Sequence, residues 1–177
     1  MGSDLTIVNA ARVSFGAQKE ELDEKDIKLI NYLMSHNHTS PFEHCSMTFR
    51  FVVPLFIRSQ HHRHRTWAYN EISRRYTSVD MKFYSPKKFR TQHKSNRQAS
   101  NNELINPILD SSYTQIGYES ASAAVQDHHT KSIGLYNALI DSGVCREQAR
   151  GVLPQNLYTE YYGTANLHNL LKFISLR

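Results

Sequence analysis

This sequence predicts a mixed α+β fold: a mixed sheet of few strands packed with several helices, one of them long and central. Three observations lead there. Ala121, Val125, His128, Ser132, Leu135 and Leu139 recur every three or four positions, the period of one helix face. Met47, Phe49, Phe51 and Val53 alternate with Ser46, Thr48 and Arg50, the period of a strand with one buried side. The chain has only seven glycines and no G-x-G-x-x-G or Walker loop, so any dinucleotide would be held by side chains rather than by a glycine-rich turn. At 177 residues the length fits one domain, residues 1–177, with enough chain to bury a core.

Along the chain, Ile27, Ile30, Leu33 and Met34 predict an amphipathic helix over residues 26–36. The strand at 47–53 follows. Pro54 suits the first turn of a helix running from Leu55 through the arginine-rich stretch beyond it. Loose alternation over 76–84, closed by Ser85-Pro86, predicts a second strand, and the polar run 92–102 an exposed loop. The long helix ends at Gly143, a C-terminal cap. Residues 145–153 form a short helix stopped by Pro154, and the tyrosine- and threonine-rich 157–164 a strand. Asn166 caps a last helix with Leu167, Leu171 and Ile174 on its apolar face.

The net charge of +5 and pI near 9.2 favour anionic partners, and the basic residues concentrate between Arg58 and Arg97. Hydrophobic residues make up 40% at a mean hydropathy of −0.56, a folded chain with much polar surface. No apolar run approaches the roughly 20 residues that span a bilayer, and no signal peptide follows Met1, so the expectation is a cytoplasmic protein without a membrane partner. Cys45 and Cys145 read as buried or idle thiols. His36, His38 and His44 cluster, as do His61, His62 and His64, but Arg63 and Arg65 interleave the second group and no carboxylate-rich pair completes a ligand set. No metal is expected.

The densest chemistry lies in Gln60-His61-His62-Arg63-His64-Arg65-Thr66-Trp67-Ala68-Tyr69-Asn70-Glu71-Ile72-Ser73-Arg74-Arg75-Tyr76. Guanidinium forks hold phosphates bidentately and flat rings stack on flat ligands. Arg63 and Arg65 would diverge by about 200° on a regular helix, so either they serve ligands on two sides or the helix ends between them. The blander readings are a solvated basic face, or a nucleic-acid-binding module that stacks bases on Trp67 and Tyr69.

Read as R-H-R-x7-S, this stretch resembles the signature of the flavin-dependent thymidylate synthases. Other blocks resemble the same family in order: residues 2–5 and 8–15 its opening segment; His38-Thr39-Ser40-Pro41-Phe42-Glu43-His44 its H-x-[ST]-P-F-E-H block; Ala149-Arg150-Gly151-Val152-Leu153-Pro154 its A-R-x-V-L-P block; 166–170 and 173–177 its N-x-R-x-L and F-x-x-L-R region. His168 stands where the family has arginine, and Lys172 where it has asparagine or histidine. Residues 87–141 carry no specific motif.

The resemblance implies an FAD-dependent methylation of dUMP to dTMP, with methylene-tetrahydrofolate as carbon donor and NADPH as reductant. It implies that Ser40, Arg63, His64, Arg65, Glu71, Asn166, His168 and Lys172 contact FAD. Gln60, Arg63, Glu71, Ser73, Arg75 and Arg177 would hold dUMP, and Arg150 would reach its phosphate from a neighbouring subunit of a homotetramer with shared sites. Arg177 would polarise the uracil ring as the catalytic residue. Residues 1–177 would then lack a strand before Gly2 and a helical tail after Arg177. Neither His44-Cys45-Ser46 nor Val144-Cys145-Arg146 resembles the cysteine nucleophile of ordinary thymidylate synthases, in keeping with a flavin enzyme. The rival implications are the nucleic-acid module and a catalytically impaired relative that only binds nucleotide.

Overall fold

The computed structural model describes residues 1–78, 81–110 and 119–176. Its elements run α1 (Asp4–Arg12), α2 (Glu24–Ser35), a 3-10 turn (Ser40–His44), β1 (Ser46–Pro54), α3 (Leu55–His61), β2 (Ala68–Glu71), β3 (Phe89–Gln92), β4 (Ser100–Ile105), β5 (Ile108–Leu109), β6 (Glu119–Ser120), α4 (Ala121–Asp141), α5 (Arg146–Ala149), β7 (Tyr158–Asn166) and α6 (Leu167–Ser175). They fall into two compact units, one of Met1–Val53, Ile57–Ile72 and Thr159–Arg177, the other of Pro54–Phe56 and Ser73–Tyr158. Helices and small sheets are mixed, as the sequence predicts.

In the first unit, Ile7, Leu33, Phe42 and Cys45 form a buried cluster against which Ala11, Leu29, Ile30 and Leu167 pack. Helix α1 was not foreseen. Helix α2 starts two residues before the predicted 26 because Asp23 caps it, its carboxylate accepting from the backbone N–H groups of Lys25 and Asp26. Asp26 is fully buried, and accepts from Arg12 Nη2 at 2.7 Å and Lys19 Nζ at 2.5 Å, which ties α1 to α2.

The three-stranded sheet has the order β1-β7-β2, with β2 antiparallel to β7 from Ala68↔Thr164 to Glu71↔Tyr161. Central β7 shows clean alternation: Thr159, Tyr161, Gly163 and Ala165 are buried, while Glu160 binds Arg50 through two bonds of 2.6 and 2.8 Å on the other face. Alternation in β1 is weaker than predicted, because Met47 and Phe49 are exposed and only Phe51 and Val53 are half-buried. Gly163 is required by its neighbours: an added Cβ would lie 3.0 Å from Phe51 Cε2 and 3.3 Å from Trp67 Cε3. Gly163→Ala is therefore expected to destabilise the fold by about 1–3 kcal/mol through overpacking, read from urea midpoints.

In the second unit, β3 and β4 form an antiparallel hairpin, Phe89↔Ile105, where the sequence predicts an exposed loop over 92–102; only the segment between the strands remains a loop. Short β5 pairs antiparallel with β6, which leads into α4. Ser120 caps α4 by accepting from Ala123 N–H, and Gly143 leaves it with φ +86°, the left-handed conformation that favours glycine. The buried face of α4 is Ala121, His129, Ser132 and Tyr136: His129 and Tyr136 are buried one step along from the predicted His128 and Leu135, which are exposed. The predicted strand over 76–84 is absent from the described part of that range except for a single bridge, Phe83↔Leu157, because the turn at Ser73 (Tyr76 N–H to Ser73 carbonyl, 3.0 Å) breaks the extension.

Candidate functional site

The arginine stretch does not stay helical. Helix α3 stops at His61, and the chain unwinds through successive turns, His62 N–H to Arg58 carbonyl, Arg63 N–H to Gln60 carbonyl and His64 N–H to His61 carbonyl, before β2 begins at Ala68. The Tyr69 hydroxyl lies 3.0 Å from both the His61 and His64 carbonyls and donates its one proton to this pair, pinning the turn from the strand that follows it. The divergence problem is thus resolved by ending the helix. Arg63 and Arg65 are both exposed and have no carboxylate partner among the described residues.

Beneath the turn lies a packed cluster of rings. His61 is buried, its Nδ1 2.6 Å from the Tyr161 hydroxyl and its ring centroid 4.7 Å from Trp67, 4.8 Å from Phe51 and 4.9 Å from Phe173. His62 stacks on Tyr69 at 4.0 Å, and His64 sits edge-on to Phe173 at 4.8 Å. Trp67 is buried and Tyr69 half-buried within this cluster. Those rings are used internally, which removes the base-stacking observation behind the nucleic-acid reading. Burial, reinforced by Tyr69 and Glu71, pushes the Tyr161 phenol up to about 12, so it stays protonated.

Glu71 is not free. Arg58 grips its carboxylate, with Nε 2.8 Å from Oε2 and 3.0 Å from Oε1, and Thr159 Oγ1 donates to Oε1 at 2.6 Å. Neither partner carries a sequence signal: Arg58 comes from α3, Glu71 from β2 and Thr159 from β7, and only the fold joins them. Ser40 opens the 3-10 turn and is exposed. Asn166 spends its side-chain oxygen on capping α6, accepting from Asn169 N–H at 2.9 Å. His168 and Lys172, one turn apart, line a cavity of about 280 Å³ with Met34, Asn37, Thr39 and Phe42. No residue of α6 is fully buried, and Ile174, predicted on its apolar face, is exposed.

Gln60, Ser40, Arg63, His64, Arg65, Glu71, Asn166, His168 and Lys172 belong to the first unit. In the second, Ser73 Oγ accepts from Arg75 N–H at 3.3 Å, Arg75 pairs with Glu147 at 3.4 Å, and Arg150 Nε donates to the Glu147 carbonyl at 3.4 Å. Arg75 and Arg150, both expected at dUMP, are thus both bonded to Glu147 within the chain. Arg177 lies outside the described residues. No group of three or more His, Cys, Asp or Glu side chains among the described residues is arranged for a metal, and no described helix is long and apolar enough to cross a membrane.

Burial pushes the His62 and His129 imidazoles below their ordinary 6.5, helped by Arg58 and His128 respectively. The unfolded chain then binds more protons than the folded one as pH falls through 6.5, so the stability these neutral rings confer is complete above 6.5 and lost below it. Urea midpoints are expected to fall from pH 7.5 to pH 5.5.

The family model described as thymidylate synthase complementing protein matches residues 1–177. A flavin-dependent thymidylate synthase of Thermus thermophilus is 45% identical over the whole chain, which spans 61% of that relative's length. One from Thermotoga neapolitana is 39% identical, with 72% of its length covered. Among solved structures, the UMP/dUMP methylase PolB from Streptomyces cacaoi bound with 5-Br dUMP superposes with a TM-score of 0.79 at 35% identity, over 98% of this chain and 73% of that one. With the arginine turn, the H-x-S-P-F-E-H block and the whole-chain match in agreement, this chain belongs to the flavin-dependent thymidylate synthase family.

Proposed function

We propose that residues 1–177 form one domain of a cytoplasmic, FAD-dependent thymidylate synthase that converts dUMP, methylene-tetrahydrofolate, NADPH and a proton to dTMP, tetrahydrofolate and NADP+. The observation that carries this reading is the pinned turn that presents Arg63 and Arg65, exposed and without a carboxylate partner among the described residues, on a packed bed of rings. The donor set suits FAD: two free guanidinium groups for its phosphates, and an α6 cavity lined by His168 and Lys172. When bound, the flavin supplies the hydride chemistry that completes the methyl group.

The chain's own residues bind and orient. Arg63, His64 and Arg65 take the flavin phosphates and ring edge; Ser40, Asn166, His168 and Lys172 fix the rest of the cofactor. Gln60, Ser73 and Arg75 hold dUMP, and Arg150 reaches its phosphate from a neighbouring subunit, each arginine leaving its bond to Glu147 to do so. Glu71 reaches both ligands only by sharing its carboxylate with Arg58. Arg177 polarises the uracil ring where negative charge develops. The 21-residue α4 serves as the central helix of a homotetramer, and sedimentation of a fully active monomer would refute that part.

The test is the visible spectrum of FAD-supplemented protein during titration with dUMP. Flavin bands that shift and saturate with dUMP are expected. Flavin that binds but ignores dUMP would reduce the chain to a flavin-binding relative, and no flavin retention would overturn the reading.

A further inference from the structure

A second candidate site lies wholly within the second unit and shares no residue with those assigned to FAD or dUMP. Phe56 and Tyr84 face one another at 5.8 Å between centroids and 58° between planes, each about two-fifths exposed (39% and 40%). Their backbones are clamped to one segment: Phe56 N–H donates to the Gln155 carbonyl at 3.2 Å, Tyr84 N–H to the Asn156 carbonyl at 2.9 Å, and Asn156 Nδ2 to the Tyr84 carbonyl at 3.0 Å. Two aromatic rings tilted by 58° and held half-open by these backbone bonds form a notch, in which a flat molecule stacks on one ring and meets the other edge-on. Arg90 and Leu104, directly paired across the β3–β4 hairpin, make the wall, and Lys88 stands beside them. The groove has a volume of about 520 Å³, within the size range of small-molecule sites.

Its charge is one-sided. Lys88 and Arg90 are exposed, and among the described residues neither has a carboxylate partner and no acidic side chain lines the groove. Apolar rings alone would accept any flat molecule, but two uncompensated cations at one edge select an anion. We infer that this groove binds a planar aromatic ligand carrying an anionic group, its ring stacked on one of Phe56 and Tyr84 and edge-on to the other, and its carboxylate or phosphate on Lys88 and Arg90.

Two sources share this chemistry, an aryl carboxylate and a nucleotide phosphate. Calorimetric titration of the full chain with p-aminobenzoylglutamate and, separately, with 5′-AMP distinguishes them. At least one probe is expected to saturate at one per chain, and to bind at least about tenfold more weakly to the Lys88→Glu/Arg90→Glu double variant. The probe that does so names the source. Both substitutions are on exposed residues, so the thermal midpoint should hold; Tyr84→Leu, with the charges intact, should weaken the same probe. Failure of both probes to saturate, or equal binding to the charge-reversed variant, overturns the inference. A flavin spectrum that still responds to dUMP in the double variant separates that failure from any failure of the proposed activity.

Discussion

Asp26→Asn is expected to lower the thermal midpoint by roughly 10 °C, the largest effect of any single conservative substitution in the first unit. The carboxylate is fully buried, yet it takes bonds from Arg12, from Lys19 and from the Asp23 backbone N–H at 3.0 Å. Asparagine keeps the shape but leaves two cations facing a neutral amide, and it loses one of the acceptors that close the first turn of α2. Lys19 most of all, then the backbone bond from Asp23 and the bond from Arg12, hold the carboxyl well below its ordinary 3.8. Because the folded value is depressed, the stability it confers is complete above 3.8 and disappears as pH falls toward the folded value. Wild type and variant melts should therefore differ at neutral pH and converge in strong acid. A constant gap across that range would place the effect in packing rather than charge.

Arg63→Ala is expected to weaken flavin retention by about 10- to 100-fold with almost no change in thermal midpoint, since a charge-assisted bond to phosphate contributes about 1.5–3 kcal/mol and this exposed side chain makes no ion pair among the described residues. The informative companion is Tyr69→Phe. It deletes only the hydroxyl that bridges the His61 and His64 carbonyls and leaves the ring stacked on His62. If the turn must be held to present its arginines, that variant should lose flavin about five- to tenfold, from a bond of about 1 kcal/mol. Equilibrium dialysis against FAD reads both. Full retention in Arg63→Ala would contradict the proposed role of the arginine turn.

The parts of the fold that periodicity reports were legible. Helices α2 and α4 and strand β7 appear close to where spacing places them, because each buries one face, although α4 buries His129 and Tyr136 rather than the predicted His128 and Leu135; the Asn166 cap appears where its residue type places it. Helix α1 left little trace: only Ile7 and Val8 are fully buried among nine residues, too few for a stripe. The end of α3 at His61 was illegible for another reason. The residue that enforces it, Tyr69, lies on the next strand, and its sequence neighbours give no hint that its hydroxyl turns back. The arginine motif announced its chemistry but not its support; Arg58 and Thr159 on Glu71, and Tyr161 on His61, are contacts between different elements, separated by more than 80 residues in two of three cases.

Trp67 is the chain's sole tryptophan, and it is buried edge-on to His61 directly beneath the arginine turn. Intrinsic fluorescence excited at the indole band thus arises from one place, and that place is the support of the proposed phosphate-gripping side chains. An emission maximum shifted toward the blue marks the turn as seated; a red shift marks water reaching the ring bed. The protein carries its own optical gauge of whether this turn is closed, readable without a label and before any ligand is added.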